Sequence, residues 1–137
     1  MKLIHLYETD TLPVPPMGLK LGSRYRLWRG INDTSGHNGA DYGRGLYTTT
    51  NRKYAAEYGK VIEVSRWEAL PDNPIRFNTV MEWQNWLYKY DRYNGIAPRD
   101  RYKRYPHIDE YVRLNFPDVD GVQIGTTNDT IFVAWAV

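Results

Sequence analysis

The stretch TIFVAWAV, residues 130–137, is almost wholly apolar. A short apolar run rich in β-branched and aromatic side chains is typical of a strand that is buried on both faces of a sheet. We therefore expect a central strand here, with further strands on either side. The chain of 137 residues is long enough to build a hydrophobic core around such a strand, and its length favours one domain over residues 1–137.

Alternation of apolar and polar residues predicts other strands of this sheet. Three segments fit the pattern: RYRLWRGI (24–31), KVIEVSRW (60–67) and VDGVQIG (119–125). GLYTTT (45–50) is short and β-branched, as at a strand end or a turn. Residues 1–22 and LPDNPIRF (70–77) contain prolines, which lack the ladder donor, and are predicted to be loops.

Helical spacing of apolar residues predicts three helices. They are TNRKYAAEYG (50–59), TVMEWQNWLYKYDRY (79–93) and HIDEYVRLNF (107–116). The first has Thr50 or Asn51 as its capping residue and Gly59 as its end. It follows a long glycine-rich loop at residues 32–45, and loops of this length are either functional or disordered. Strands and helices in this mixed order predict an α+β fold.

The sequence excludes several kinds of site. It has no cysteine, which excludes disulfides, thiolate metal sites and a cysteine nucleophile. His5, His37 and His107 lie in separate segments without metal-ligand spacing, so we expect no metal. Phosphate-loop, dinucleotide and serine-elbow motifs are missing. No apolar run has the length of a membrane span or a secretory signal core, so we expect no membrane partner and a cytoplasmic protein, in its own cell or in a target cell.

Basic and aromatic residues concentrate in the segment that begins at Arg92 and ends at Tyr105, whereas the whole chain has a formal net charge of only +2. Such a segment is either a solvated loop or a surface that recognises a macromolecule. Arginine and tyrosine can contact phosphates and stack on bases. The second interpretation gives an acceptor protein or nucleic acid as the partner.

The stretch GADYGRGLYTTTNRKYAAEYG, residues 39–59, combines glycines with tyrosines. Tyr47 and Tyr58, at a strand end and a helix end, can form two walls of a cleft that holds a flat cationic ring. A backbone group of Gly30 can then bind an amide on the ring. The carboxylate of Asp129 can bind a ribose hydroxyl and stabilise positive charge at the sugar carbon. The alternatives are core tyrosines and an ordinary turn aspartate.

Three segments resemble the ADP-ribosyltransferase family. GRGLYTTTNRKYAAEYG is similar to the G-x-G-x-Y-F-A … S-x-x-Y segment of its His-Tyr-Glu class, which includes the diphtheria-type toxins and the poly(ADP-ribose) polymerases. YRLWRG resembles the first strand of that family, in which histidine or arginine precedes glycine. VDGVQIGTTNDTIFVAW is similar to the closing strands that carry the catalytic glutamate, and Asp129 stands at its position.

The resemblance implies an ADP-ribosyltransferase-like fold, with a mixed or antiparallel split β-sheet and flanking helices. It implies NAD as substrate and transfer of ADP-ribose to a macromolecular acceptor, with NAD hydrolysis as a side activity. By this resemblance Tyr47 and Tyr58 sandwich nicotinamide and Gly30 binds its carboxamide. Arg29 contacts ribose or phosphate, and Asp129 stabilises the transition state. Small members of the family act as toxins, phage takeover proteins or anti-defence proteins.

The sequence also departs from the family. The serine that binds the carboxamide corresponds to Ala55, so Thr48 or Thr49 is expected to replace it, and Tyr42 is expected to close over the ligand. The glutamate is shortened to Asp129 by one methylene group.

Two alternatives stay open. An RNA 2′-phosphotransferase shares the fold but needs more basic phosphate ligands than Arg29 and Arg44 supply. A non-catalytic module that binds nucleic acid or protein would retain the cleft without the reaction.

Overall fold

The computed structural model describes residues 11–21, 25–31, 42–103, 107–125 and 129–135. The strands are β1 (Leu27–Ile31), β2 (Gly45–Thr49), β3 (Lys60–Val64), β4 (Pro74–Phe77), β5 (Gly121–Ile124) and β6 (Ile131–Trp135). The helices are α1 (Arg52–Ala56), α2 (Arg66–Ala69), α3 (Val80–Tyr93) and α4 (Ile108–Arg113), with a 3₁₀ helix at Pro98–Lys103. Most of the predicted glycine-rich loop and of the turn before β6 lies outside the described residues.

All six strands form one mixed sheet in the order β3-β1-β2-β6-β5-β4. Neighbouring strands are antiparallel except β4 and β5, which are parallel. The predicted α+β class is therefore confirmed. β6 lies between β2 and β5, which confirms the prediction of a central strand. GLYTTT is likewise a full strand of the sheet rather than only a turn.

Successive residues of a strand point to opposite sides, so the sheet has two faces. The two faces are covered by hydrophobic clusters of different size. On β6, Val133 and Trp135 belong to a large aromatic cluster with α3 and α4. Phe132 points the other way, into a small cluster with Leu27 and Ala69. The large-cluster face also carries Tyr47, which therefore lies on the better-covered side.

α3 confirms the predicted amphipathic helix. Trp83, Trp86, Leu87 and Tyr90 are buried, and Thr79 caps the helix by accepting a hydrogen bond from the Glu82 N–H at 3.2 Å. Val80 shares the helical spacing of these residues but is 42% exposed. It occupies the first turn, beyond the reach of the sheet. None of the helices in the described ranges is long and apolar enough to cross a membrane.

The prediction of a loop at residues 70–77 holds for residues 70–73 but is wrong for the second half, because Pro74–Phe77 is an edge strand. Proline is tolerated at the first residue of an edge strand, where its missing N–H disturbs no ladder. Ile75 and Phe77 are buried in the large cluster. Residues 11–21 cover the outer edge of this strand: the Arg76 N–H donates to the Pro16 carbonyl at 2.8 Å, and the Gly18 N–H donates to the Pro74 carbonyl at 2.9 Å.

Candidate functional site

The ladder between β1 and β2 is short, whereas the ladder between β1 and β3 is long. Within the described strands, β1 and β2 share one residue pair, Trp28 opposite Thr49, whereas β1 pairs with β3 over five residues. Extending the antiparallel register by two residues brings Gly30 level with Tyr47 on the same face of the sheet. At Gly30 the edge of β1 that faces β2 is therefore not paired in the β1–β2 ladder.

The end of α1 packs directly onto Gly30. A Cβ atom on this residue would overlap the carbonyl oxygen of Ala55 and lie 2.9 Å from the Cβ of Tyr58. Glycine is therefore required for the close approach of helix and strand. Tyr58 follows α1 and is 39% exposed. Gly30 thus has Tyr58 above it and is level with Tyr47 on the neighbouring strand.

Tyr54 fixes the position of Tyr58. Their hydroxyl oxygens share a hydrogen bond at 2.9 Å, and their rings meet edge to face with centroids 5.3 Å apart. Burial raises the pKa of the Tyr54 hydroxyl, and the hydrogen bond with Tyr58 raises it further. Sequence reasoning missed this pair, although a spacing of four residues in a helix places two side chains on one face.

Tyr47 is half-buried and is fixed at its hydroxyl. The hydroxyl donates to the Gly43 carbonyl at 2.6 Å and accepts from the Tyr42 N–H at 3.2 Å. The ring of Tyr42 lies 6.3 Å from that of Tyr47 and 5.9 Å from that of Trp83, measured between centroids. Tyr42 therefore packs between Tyr47 and the aromatic core.

Arg29 and Thr48 lie on the opposite face from Gly30 and Tyr47, because side chains alternate along a strand. Thr48 is 3% exposed, and its hydroxyl has no hydrogen-bond partner among the residues that the structure describes. Arg29 is half-buried and makes no side-chain hydrogen bond or ion pair within the described ranges. The structure therefore does not bring these two predicted site residues to the face that carries Gly30 and Tyr47.

Thr49 does lie on the face of Tyr47. It is buried, and its hydroxyl accepts a hydrogen bond from the Asn51 N–H at 3.0 Å. Of the two threonines predicted to replace the family serine, Thr49 is thus the one on the side of the ring site. Ala55 is buried against Gly30.

Asp129 is exposed at the opposite end of α1 from Tyr58. Its Oδ1 accepts a hydrogen bond from the side-chain amide of Asn51, and the amide oxygen of Asn51 caps α1 by accepting from the Tyr54 N–H at 3.2 Å. Val133 is the residue opposite Tyr47, four residues beyond Asp129. At about 3.3 Å per strand residue, the backbone of Asp129 lies at most on the order of 13 Å along the sheet from Tyr47.

Asn51 therefore links the predicted catalytic carboxylate to the helix that leads to Tyr58. The sequence predicts Thr50 or Asn51 as the helix cap but does not predict the bond between Asn51 and Asp129. No sequence signal relates the two, because they are 78 residues apart in the chain.

Arg44 binds two carboxylates, those of Asp109 and Glu110. Its Nη2 donates to Asp109 Oδ2 at 3.1 Å and to Glu110 Oε1 at 2.7 Å, and its backbone N–H donates to Asp109 Oδ1 at 3.1 Å. Burial alone would raise the pKa of Asp109, which is 1% exposed, but the hydrogen bonds and charge of Arg44 outweigh burial and lower that pKa. The guanidinium thus anchors α4 to the start of β2.

The basic segment is described only in part. Pro98–Lys103 forms the 3₁₀ helix, and the side chain of Arg99 is 88% exposed. Arg104 and Tyr105 lie outside the described residues. Among the residues that the structure describes, no group of three or more histidine, aspartate or glutamate side chains is arranged to hold a metal ion.

A scan of the sequence against protein-family models finds no match, and searches of curated proteins and of solved structures find none either.

Proposed function

We propose that this chain has an ADP-ribosyltransferase-like fold and transfers ADP-ribose from NAD to a macromolecular acceptor, with release of nicotinamide. One observation carries the proposal. Gly30, Tyr47 and Tyr58 share one face of the sheet at the point where the β1–β2 ladder stops.

This arrangement suits a flat cationic ring that bears an amide. A tyrosine face contributes about 0.5–2 kcal/mol to binding of such a ring, depending on desolvation. Backbone groups of β1 near Gly30 that are not used by β2 can bind the carboxamide of nicotinamide. The partners of both tyrosine hydroxyls hold the rings in place before the ligand arrives, which reduces the ordering entropy of binding.

The ribose then extends from the ring along β2 towards Asn51. The carboxylate of Asp129, oriented by Asn51, stabilises the oxocarbenium-like sugar as the bond to nicotinamide breaks. An acceptor nucleophile attacks the sugar carbon on the face opposite the departing nicotinamide, the electron pair of the broken bond leaves with nicotinamide, and the proton of the nucleophile passes to water.

The RNA 2′-phosphotransferase alternative is less well supported. It requires several free cations around one cleft. Arg44 is paired with Asp109 and Glu110, and Arg29 lies on the other face of the sheet. The role of Arg29 as a ribose or phosphate ligand stays a prediction that this position does not favour.

A non-catalytic binding module has one observation in its favour, the distance along the sheet between Asp129 and Tyr47. Such a module would bind nicotinamide-containing ligands without cleaving them. The experiment must therefore measure ligand binding and cleavage separately.

NAD labelled in its adenylate part is incubated with the chain and a cell lysate. Nicotinamide release is followed by chromatography, and label on macromolecules is counted. Asp129→Ala is expected to lower nicotinamide release about 100-fold while NAD binding stays near wild type. Tyr58→Ala weakens NAD binding about 2- to 30-fold, and Tyr58→Phe retains most of it because the ring remains.

Leu114→Ala serves as control, because it truncates a side chain that is 53% exposed and contributes nothing to this face. Release of nicotinamide without label on a macromolecule would identify a glycohydrolase. NAD binding without release would identify the non-catalytic module. Failure to bind NAD at all would refute the proposal.

A further inference from the structure

The outward face of α3 combines aromatic rings with cations. Tyr88 and Tyr93 are 40% and 37% exposed, and Lys89 and Arg92 are exposed as well. Tyr88 and Arg92 are four residues apart, as are Lys89 and Tyr93, so each ring has a cation one helical turn away. We call these four residues the tyrosine–cation face.

The charge of this face is uniformly positive. The acidic residues of α3 are Glu82, in the first turn, and Asp91. Asp91 is fully buried and accepts a hydrogen bond from the Tyr111 hydroxyl at 2.7 Å, so its charge points into the interior. Within the described residues, neither Lys89 nor Arg92 forms an ion pair. Both cations are therefore available to a ligand.

The residues after α3 carry a further exposed cation. The Ile96 N–H donates to the Asp91 carbonyl at 2.8 Å, which turns the chain back at the end of the helix. The 3₁₀ helix then presents Arg99, whose single described counter-ion, Asp100, is 4.0 Å away and half-exposed. An ion pair at this distance between exposed groups contributes little to the free energy of folding.

We infer that the tyrosine–cation face binds single-stranded nucleic acid. Lys89 and Arg92 neutralise backbone phosphates, and Tyr88 and Tyr93 stack on bases. The rings favour a single strand, because its unstacked bases offer flat faces to both tyrosines while its phosphates meet the cations. A duplex keeps its bases stacked inside, so it would leave the rings unused.

This binding needs no NAD and stands apart from the ring site. Only the role of the bound strand as an acceptor rests on the proposed function. If ADP-ribose is transferred, the strand held on α3 is the acceptor or belongs to the same complex as the acceptor. Binding and transfer can therefore fail independently.

The test is fluorescence anisotropy of a labelled oligo(U) strand and of an oligo(dT) strand, without NAD, over a series of salt concentrations. The logarithm of the affinity is expected to fall linearly with the logarithm of salt concentration, and the double variant Lys89→Gln/Arg92→Gln is expected to reduce the slope by about 0.7 for each cation removed. Tyr88→Ala weakens binding at least about fivefold, and Tyr88→Phe retains it.

Lys60→Gln is the control for each cation removed, because it takes one positive charge from an exposed residue of β3, outside the tyrosine–cation face. It should bind as the wild type does. Circular dichroism confirms that each variant is folded. The inference is overturned if no strand binds, if the double variant equals Lys60→Gln, or if a polyglutamate peptide competes equally well and Tyr88→Ala has no effect.

Discussion

At the scale of single residues, Gly30 illustrates what sequence can and cannot predict. The sequence indicates that this glycine lies near a ligand, as a strand residue whose backbone is accessible. The structure adds a second demand, because α1 leaves no room for a Cβ atom. The need for glycine at this position depends on packing between segments that are 25 residues apart or more in the chain. No local sequence pattern predicts that packing.

Gly30→Ala is expected to destabilise the protein by about 1–3 kcal/mol, because the new methyl group must displace Ala55 and Tyr58. Urea unfolding measures the loss. The shift of Tyr58 is expected to lower nicotinamide release as well.

Gly95→Ala is the comparison, since it has open space around it but a φ of 76°. Its backbone conformation costs about 1–2 kcal/mol, yet the ring site is untouched. Equal nicotinamide release from the two variants would contradict the account of Gly30.

Asp109 gives a prediction about pH. Its pKa is held below the ordinary value of 3.8, so ionised Asp109 stabilises the folded state above that pH. The contribution is lost as the pH falls below 3.8 and passes through the lowered pKa. Asp109→Asn is expected to lower the free energy of unfolding by about 1–3 kcal/mol at neutral pH.

Urea unfolding between neutral pH and pH about 2 measures the difference between wild type and Asp109→Asn. That difference should stay constant above the ordinary pKa and shrink below it. A difference that grows in acid would show that Arg44 does not stabilise the ionised form.

At the scale of elements, the strands and helices with clear periodicity were predictable, and those fixed by their neighbours were not. The wide apolar face of α3 and the apolar run of β6 carry their own signal. β4 does not, because Pro71 lies before it, Pro74 is its first residue, and only Ile75 and Phe77 alternate with a polar residue. It becomes a strand because β5 offers a parallel ladder and residues 11–21 cover its other edge.

The positions of the proposed site residues were predictable to a similar degree. Spacing, together with the family resemblance, related Tyr47 to Tyr58 across one strand and one helix. It could not reveal that Arg29 faces the other side, because a strand assigned without its partners has no defined faces. It also could not relate Asn51 to Asp129, since their contact depends on β6 pairing with β2.

Asn51, the N-terminal cap of α1, also binds Asp129 of the proposed site. Asn51→Ala is expected to cost about 1 kcal/mol of stability through loss of the cap. It also releases Asp129 from its hydrogen bond, so we expect nicotinamide release to fall.

Thr79→Ala is the matched control, because Thr79 caps α3 in the same way and has no bond to the site. Its stability loss should be similar and its nicotinamide release unchanged. If both variants release nicotinamide equally, Asn51 does not position Asp129.

At the scale of the whole molecule, the sheet has a well-covered half and a thinly covered half. β5 is buried at every residue, whereas β3 is an edge strand with Lys60, Ile62 and Glu63 exposed. Local opening is easiest where few apolar contacts must be broken. We therefore expect native-state hydrogen exchange to be slowest in β5 and β6 and fastest, among the strands, in β3.

Amide exchange followed by NMR makes this comparison within one sample. β4 should be better protected than β3, although both are edge strands, because residues 11–21 cover β4. Equal protection of β3 and β6 would mean that the open edge is covered by something else, such as a second copy of the chain.

The central claim is that nicotinamide binds between Tyr47 and Tyr58 with its carboxamide on the backbone of Gly30. The most direct measurement is a crystal structure of the chain with a non-hydrolysable NAD analogue. The account predicts the nicotinamide ring between the two tyrosine faces, with the ribose directed towards Asn51 and Asp129. A nicotinamide bound on another face, or no binding at saturating analogue, would contradict it.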